Sequence, residues 1–269
     1  WDKSATLLEY FTFIRYSSTI MEGTRINKYI AEHGYCSRRE ADRLIAAGKV
    51  FINDEIAQLG DRVQDGDDVR VHGRDKKVEP PKVYILLNKP CGMITTTDQR
   101  KKDNIISHID HEERIFPVGR LDVKSEGLLL LTNDGTLANR LMHPRYEHDK
   151  EYVVEVDRPI NRKDINKLQH GVELDDGMTL PAKVRQMEPT KFAIILREGR
   201  NKQIRRMCEV VGYNVVSLKR TRLLTLKLVG SYPSGKWRNL TEKEVRDLKK
   251  AVGMEVKVTK KRTRKKRRN

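Results

Sequence analysis

Between residues 25 and 72 apolar side chains recur first every three or four positions and then every second one. Ile26, Tyr29, Ile30 and His33 share one face of a helix that Gly34 can end. Ser37 followed by Glu40 is a capping-box pattern opening a second helix, with Ala41, Leu44 and Ile45 as its buried stripe and Gly48 near its end. Val50 and Ile52 then alternate as a short strand, and "DRVQDGDDVRV" supplies a turn and a further strand. Two helices and a small hairpin make a compact module with a minimal core.

The pattern changes after "GRDKKVEPPK", a charged stretch with Pro80 and Pro81 that reads as a linker. "VYILLNKPCGMITTT" opens a larger unit with a buried strand broken at Lys89-Pro90 and Gly92. Further strands are predicted around Leu128 to Leu131, Tyr152 to Val156, Phe192 to Leu196 and Leu224 to Val229. Helices are predicted near Leu137 to Leu141, Arg162 to Leu168, Lys202 to Val211 and Glu242 to Ala251. Strands and helices without a regular βα alternation point to an α+β architecture. The expected divisions are an N-terminal extension over 1–23, a small domain over 24–72, a linker over 73–82, a large domain over 83–253 and a basic, disordered tail over 254–269. An extra packed helix is the alternative for the first segment.

Composition adds a partner to this picture. The 269 residues carry 55 lysines and arginines against 38 acids, a formal net charge of +17. Cations in that excess favour polyanions, because neutralising phosphates releases condensed counterions. Cys36, Cys91 and Cys208 are widely spaced, which argues against a disulfide framework or structural zinc and fits a reducing cytoplasm. No apolar run is long enough to span a bilayer, so no membrane partner is expected. The small module concentrates its charge: Arg38 and Arg39 fall in the first turn of the second helix, where the dipole disfavours cations unless an anion binds there. Arg25, Lys28, Arg43 and Lys49 extend the same surface. A solvated face without a ligand is the competing reading.

Candidate chemistry narrows by elimination. The sequence has no dinucleotide-type glycine fingerprint at a strand–helix junction, no phosphate loop ending in GK[ST], no HExxH and no GxSxG. His108 and His111 lack a nearby third ligand, so no metal is expected, and Cys208 falls on the apolar stripe of a helix. What stands out is "GRLDVKSEGLLLLTNDG", where Asp122 precedes a strand left without a polar face by Leu128 to Leu131. Alone, such an aspartate reads as a turn residue. Two later segments change its weight. "DKEYVVEV" starts a strand with Tyr152, an aromatic face for a base, and "REGRNKQIRRMCEVVGY" brings Arg205 and Arg206 into the first turns of a helix. A buried carboxylate needs a partner, and a guanidinium is the natural one.

"RINKYIAEHGYCSRREADRLIAAGKVFIN" closely resembles the S4-type RNA-binding domain. "GRLDVKSEGLLLLTNDG", "KEYVVEV", "GRNKQIRRMCEVVGY" and "LKRTRLLTLKL" resemble, in order, the motifs of RNA pseudouridine synthases of the RsuA/RluB/RluE/RluF family, with "LNKPCGMITT", "DNIISHI" and "RIFPVGRLD" most like its RluF-type branch. The resemblance implies a catalytic domain on a mixed, mainly antiparallel sheet with flanking helices. It also implies roles. Asp122 matches the catalytic aspartate, Tyr152 the aromatic that stacks on the target base, Arg205 the basic partner of the aspartate, and Leu218 an aliphatic packed against the pocket. Arg120 is expected beside the catalytic loop as an RNA contact, together with Arg206 and, in the small domain, Arg25, Lys28, Ser37, Arg38, Arg39, Arg43 and Lys49.

The expected activity is isomerisation of a uridine in ribosomal RNA, with large-subunit RNA as the first expectation, by a cytoplasmic monomer that uses no cofactor. A transfer-RNA-directed synthase and a non-catalytic RNA-binding assembly factor are the alternatives.

Overall fold

The computed structural model describes residues 23–73, 80–98, 100–230 and 232–255. The N-terminal extension up to residue 22, most of the linker and the basic tail therefore lie outside the described residues. The chain divides into two compact units at Pro81 and Lys82.

In the first unit a two-residue strand, β1 (Thr24–Arg25), leads into α1 (Ile26–Glu32) and α2 (Arg38–Ala46). Ser37 caps α2, its hydroxyl accepting from the Glu40 backbone N–H. The strands β2 (Val50–Ile52), β3 (Glu55–Ile56) and β5 (Val69–Val71) form a three-stranded sheet in the order β3-β2-β5, while β4 (Arg62–Val63) pairs with β1. Ile26, Ile30, Ala41, Ile45, Val50, Val63, Val69 and Val71 are buried together, so each element contributes its apolar side to one small core.

The second unit is built on a nine-stranded sheet. Its path is β12 (Lys183–Glu188), β13 (Lys191–Leu196), β9 (Lys150–Val156), β14 (Val215–Leu223), β8 (Glu126–Thr132), β6 (Tyr84–Lys89) and β16 (Trp237–Asn239). Two short strands attach to it, β7 (Phe116–Pro117) on β8 and β15 (Leu226–Lys227) on β14. A separate hairpin joins β10 (Glu173–Leu174) to β11 (Gly177–Met178). Every pairing is antiparallel except β14 with β8, where Lys219 lies opposite Glu126 and Arg220 opposite Gly127.

Helices cover both faces of one half of the sheet. Leu128, Leu129, Leu130 and Leu131 are all fully buried. Leu128 and Leu130 pack with α4 (Gly135–Met142) and α7 (Glu242–Ala251), and Leu129 and Leu131 with α3 (Ile105–Ile109). The unbroken leucine run is what a strand buried on both faces requires. In the other half Val154, Val156, Phe192, Ile194, Leu196 and Leu218 pack under α5 (Arg162–His170) and α6 (Gln203–Val210). No helix among the described residues is long and apolar enough to cross a membrane.

One strand expectation needs correction. The strand predicted from Leu224 to Val229 reduces to Leu226–Lys227, because Leu224 adopts a left-handed conformation in the turn after β14. The long strand is β14 itself, which precedes it. Its buried positions are Leu218, Arg220 and Leu223, an arginine standing where an aliphatic would mark the alternation, with the register shifting after it.

Gly127 makes the parallel junction possible. It sits at a positive φ, and a Cβ there would overlap the backbone of Arg220. Gly127→Ala should lower unfolding free energy by about 2–4 kcal/mol, combining backbone strain and overpacking. Urea denaturation checks this; a change below about 0.5 kcal/mol, the scale of an ordinary surface substitution, would contradict it.

Candidate active site

Between the two halves of the sheet lies a cavity of about 580 Å³. Asp122, Arg120 and Leu121 line it from the loop before β8, Tyr152 and Lys150 from β9, Leu218 and Arg220 from β14, and Gln203 and Ile204 from the start of α6. The cavity thus gathers Asp122, Tyr152, Leu218 and Arg120, residues met on three separate sequence motifs. His143 and His148 stand at the same wall, where the Tyr146 ring stacks on His148.

The loop carrying Asp122 is fixed through its backbone oxygens. Thr95 Oγ1 donates to the Leu121 carbonyl at 2.7 Å, and the Gly92 N–H to the Val123 carbonyl at 2.8 Å. The Asp122 carbonyl accepts from the Ser125 N–H at 3.0 Å and from Lys89 Nζ at 3.2 Å. Lys89 Nζ also reaches the carbonyls of Ser125 at 2.8 Å and Pro90 at 3.0 Å. Arg205 Nη2 donates to the Lys124 carbonyl at 2.9 Å. Every carbonyl from Leu121 to Ser125 is therefore occupied, while no hydrogen bond or ion pair among the described residues engages the Asp122 carboxylate. The backbone is held and the acid left free for a ligand.

This arrangement corrects the expected Arg205–Asp122 ion pair. The Arg205 guanidinium spans from Lys124 O to Val215 O, 3.0 Å away, and makes no ion pair with Asp122 among the described residues. Its forked donors match two backbone oxygens, and through them it ties α6 to the Asp122 loop and to β14. Arg206 is likewise not a free cation. It pairs with Asp175 and with Asp176, the latter at 3.0 Å, and so fastens α6 to the β10–β11 hairpin.

In the small domain Arg25, Arg38, Arg39, Arg43 and Lys49 are exposed. Arg43 pairs with Glu40 and Lys28 with Glu32, both surface contacts of small energetic weight. Arg38 donates to Asn27 at 3.3 Å, and the Ser37 hydroxyl serves as the helix cap. Cys208 is buried in the core under α6, and burial pushes its thiol up to about 12, which removes it as a nucleophile.

Two site residues escaped the sequence reading. Lys89 is fully buried at the end of β6, and burial lowers its ammonium to about 8 against the opposing influence of Cys91, Asp122 and Glu126. Its signal was a lysine closing an otherwise apolar strand, "YILLNK". Arg220, 3% exposed, was hidden in the alternation of β14.

The RNA pseudouridylate synthase family model matches residues 83–210, and the S4 domain model residues 24–69. Dual-specificity RNA pseudouridine synthase RluF of Salmonella typhi is 48% identical over 233 residues, covering 85% of this chain and 80% of that one. Ribosomal large subunit pseudouridine synthase B of Bacillus subtilis is 41% identical over 234 residues, covering 84% of this chain and 95% of its own. A crystal structure of a pseudouridylate synthase superimposes with a TM-score of 0.63 at 29% identity, over 84% of this chain and all of the other.

Lys89→Met should destabilise the chain by about 2 kcal/mol at neutral pH, because buried carbonyls lose their donor. Folding lowers the lysine pKa below its ordinary 10.5, so the cost of burying the charge is fully present below about pH 8 and is relieved as pH rises toward 10.5. The deficit of Lys89→Met relative to wild type should therefore widen from pH 7 to pH 10. Urea midpoints across that range measure it, and a deficit that narrows would contradict the lowering of the lysine pKa by burial.

Proposed function

The chain belongs to the RNA pseudouridylate synthase family, and from that premise we propose that its cavity isomerises a uridine of large-subunit ribosomal RNA to pseudouridine. One observation carries the assignment of the site: a carboxylate without a hydrogen-bond or ion-pair partner among the described residues, on a loop whose carbonyls are all engaged, lining with Tyr152 a cavity large enough for a nucleoside.

The reaction moves one bond. The C1′–N1 bond breaks with its electron pair on the uracil, the ring turns, and C5 bonds to C1′ while the C5 proton is lost and N1 gains one. Reactant and product contain the same atoms, so the step consumes no co-substrate. The target must leave its stack to reach Asp122, at a cost of about a few kcal/mol. Phosphate contacts from exposed Arg120 and from the basic face of the small domain would offset that cost. Asp122 acts on the ribose, either bonding C1′ or removing the C2′ proton. Tyr152 supports the extruded base, Leu218 shapes the wall beneath it, and Arg205 positions the loop.

The words dual-specificity in the name of the Salmonella relative favour a second RNA target, for which we propose transfer RNA. We further propose that the protein works as a cytoplasmic monomer.

Asp122→Asn should abolish turnover, a loss of at least about 10³-fold, with RNA affinity within about threefold of wild type. Site-resolved pseudouridine mapping on unmodified ribosomal and transfer RNA transcripts reads the first, filter binding the second. Persistent turnover in the variant would exclude Asp122 as the reacting group, and a wild-type chain that converts neither transcript would exclude the proposed substrates.

A further inference from the structure

Arg220 is a charged group that the loop and its clamps leave without a counterpart. It is buried in the middle of the sheet, its Cα opposite Tyr152 on one side and Gly127 on the other. Its Nε donates to the Leu128 carbonyl at 2.7 Å. Nη2 is buried without an acceptor, and no hydrogen bond of Nη1 and no carboxylate partner of this guanidinium occurs among the described residues. Its neighbours at the cavity include Leu121, Leu218 and Leu223.

A guanidinium so placed costs several kcal/mol unless an acceptor reaches it, a cost that an aliphatic side chain at the same position would not carry. Lys150, on the same wall, adds a second positive group. Burial first, and then the nearby Arg220, lower its ammonium below the ordinary lysine range, with Asp149 and Glu198 opposing. Lys150 is held by the His148 carbonyl at 3.1 Å. The cavity is thus biased for an oxygen-rich ligand that becomes more negative during the reaction.

Resting on the proposed isomerisation, we infer that Arg220 is a catalytic residue, its cavity-lining guanidinium hydrogen-bonding a carbonyl oxygen of the uracil as the C1′–N1 bond breaks. The pair of electrons leaving C1′ delocalises from N1 onto the ring oxygens, and a fixed cation lining the cavity stabilises that charge where it develops. The same contact holds the detached ring while it turns, because a planar fork can re-form with either carbonyl oxygen. When C5 bonds to C1′ and N1 regains a proton, the charge disappears and the contact weakens, which favours release. Arg205 and Arg220 then divide the work: one fixes the loop backbone, the other meets the base.

The test uses full-length Arg220→Met and Arg220→Lys on a transcript that the wild-type chain is first shown to convert, so that failure of the substrate assignment is seen before the variants are read. Single-turnover rates should fall about 10²-fold for Arg220→Met, with RNA affinity unchanged and the lysine variant intermediate. The distinguishing readout is a transcript with 5-fluorouridine at the target, whose electron-poor ring leaves more readily. Loss of its N-glycoside after nuclease digestion should be slowed far less by Arg220→Met than conversion of uridine is. Equal slowing of both substrates would overturn the inference in favour of a structural role. An upward shift of the acidic limb of the pH–rate profile in Arg220→Met, with equal slowing, would overturn it in favour of a partner for Asp122. Should the methionine variant not fold, a lysine variant at wild-type rate on both substrates overturns it equally.

Discussion

A buried ammonium surrounded by backbone oxygens holds this catalytic domain's working loop. Lys89 gives up water for the carbonyls of Pro90, Asp122 and Ser125, and the cost appears as a pKa lowered to about 8. The exchange is worthwhile only because three short hydrogen bonds converge on one charge in a site that admits no solvent. Around it Thr95, Gly92 and Arg205 take the remaining carbonyls of the loop, and the Ser125 N–H shares the Asp122 carbonyl with Lys89. Asp122 consequently sits on a backbone with few ways to move, and its carboxylate is not spent on keeping that backbone in place.

The division between held backbone and free side chain explains the charge logic of the cavity. A chain with 17 excess positive charges could neutralise the Asp122 carboxylate many times over. Instead Arg205 is directed to carbonyls, Arg206 to Asp175 and Asp176, and Arg222 to Glu151 and Asp149. Those three cations are committed elsewhere, whereas the buried Arg220 has no carboxylate partner among the described residues. Acids near the rim thus do indirect work: each one that engages an arginine keeps it away from Asp122.

Much of this was legible in the chain, and what was not has identifiable causes. The leucine run of β8, the caps at Ser37 and Glu40 and the helical stripe of α6 follow local rules that tertiary packing reinforces. Asp122, Tyr152 and Leu218 were singled out through ordered motifs, and the cavity brings them together. The partner of Arg205 was not legible, since a guanidinium two residues into a helix is equally suited to a carboxylate or to carbonyls 10 and 81 residues away. Strand β14 was lost for a physical reason. Alternation scoring expects an aliphatic at a buried position, and Arg220 occupies one because that position opens on the cavity.

The sheet has one parallel junction, and its location matters for how the molecule assembles. Strands β6 and β8 pair over six residues each, and β9, β13 and β14 form their own antiparallel group, so each half can condense from its own contacts. Strand pairing across the seam is confined to Glu126 with Lys219 and Gly127 with Arg220, more than ninety positions apart in sequence, so closing it carries a loop-closure entropy cost. Asp122 reaches the seam from one side, Tyr152 and Arg220 from the other. A half-assembled chain therefore possesses either the acid or its aromatic and cationic surroundings, never the complete set. Catalytic competence is in this sense a property of the closed sheet, and a nucleotide held across the seam would stabilise the folded state by mass action.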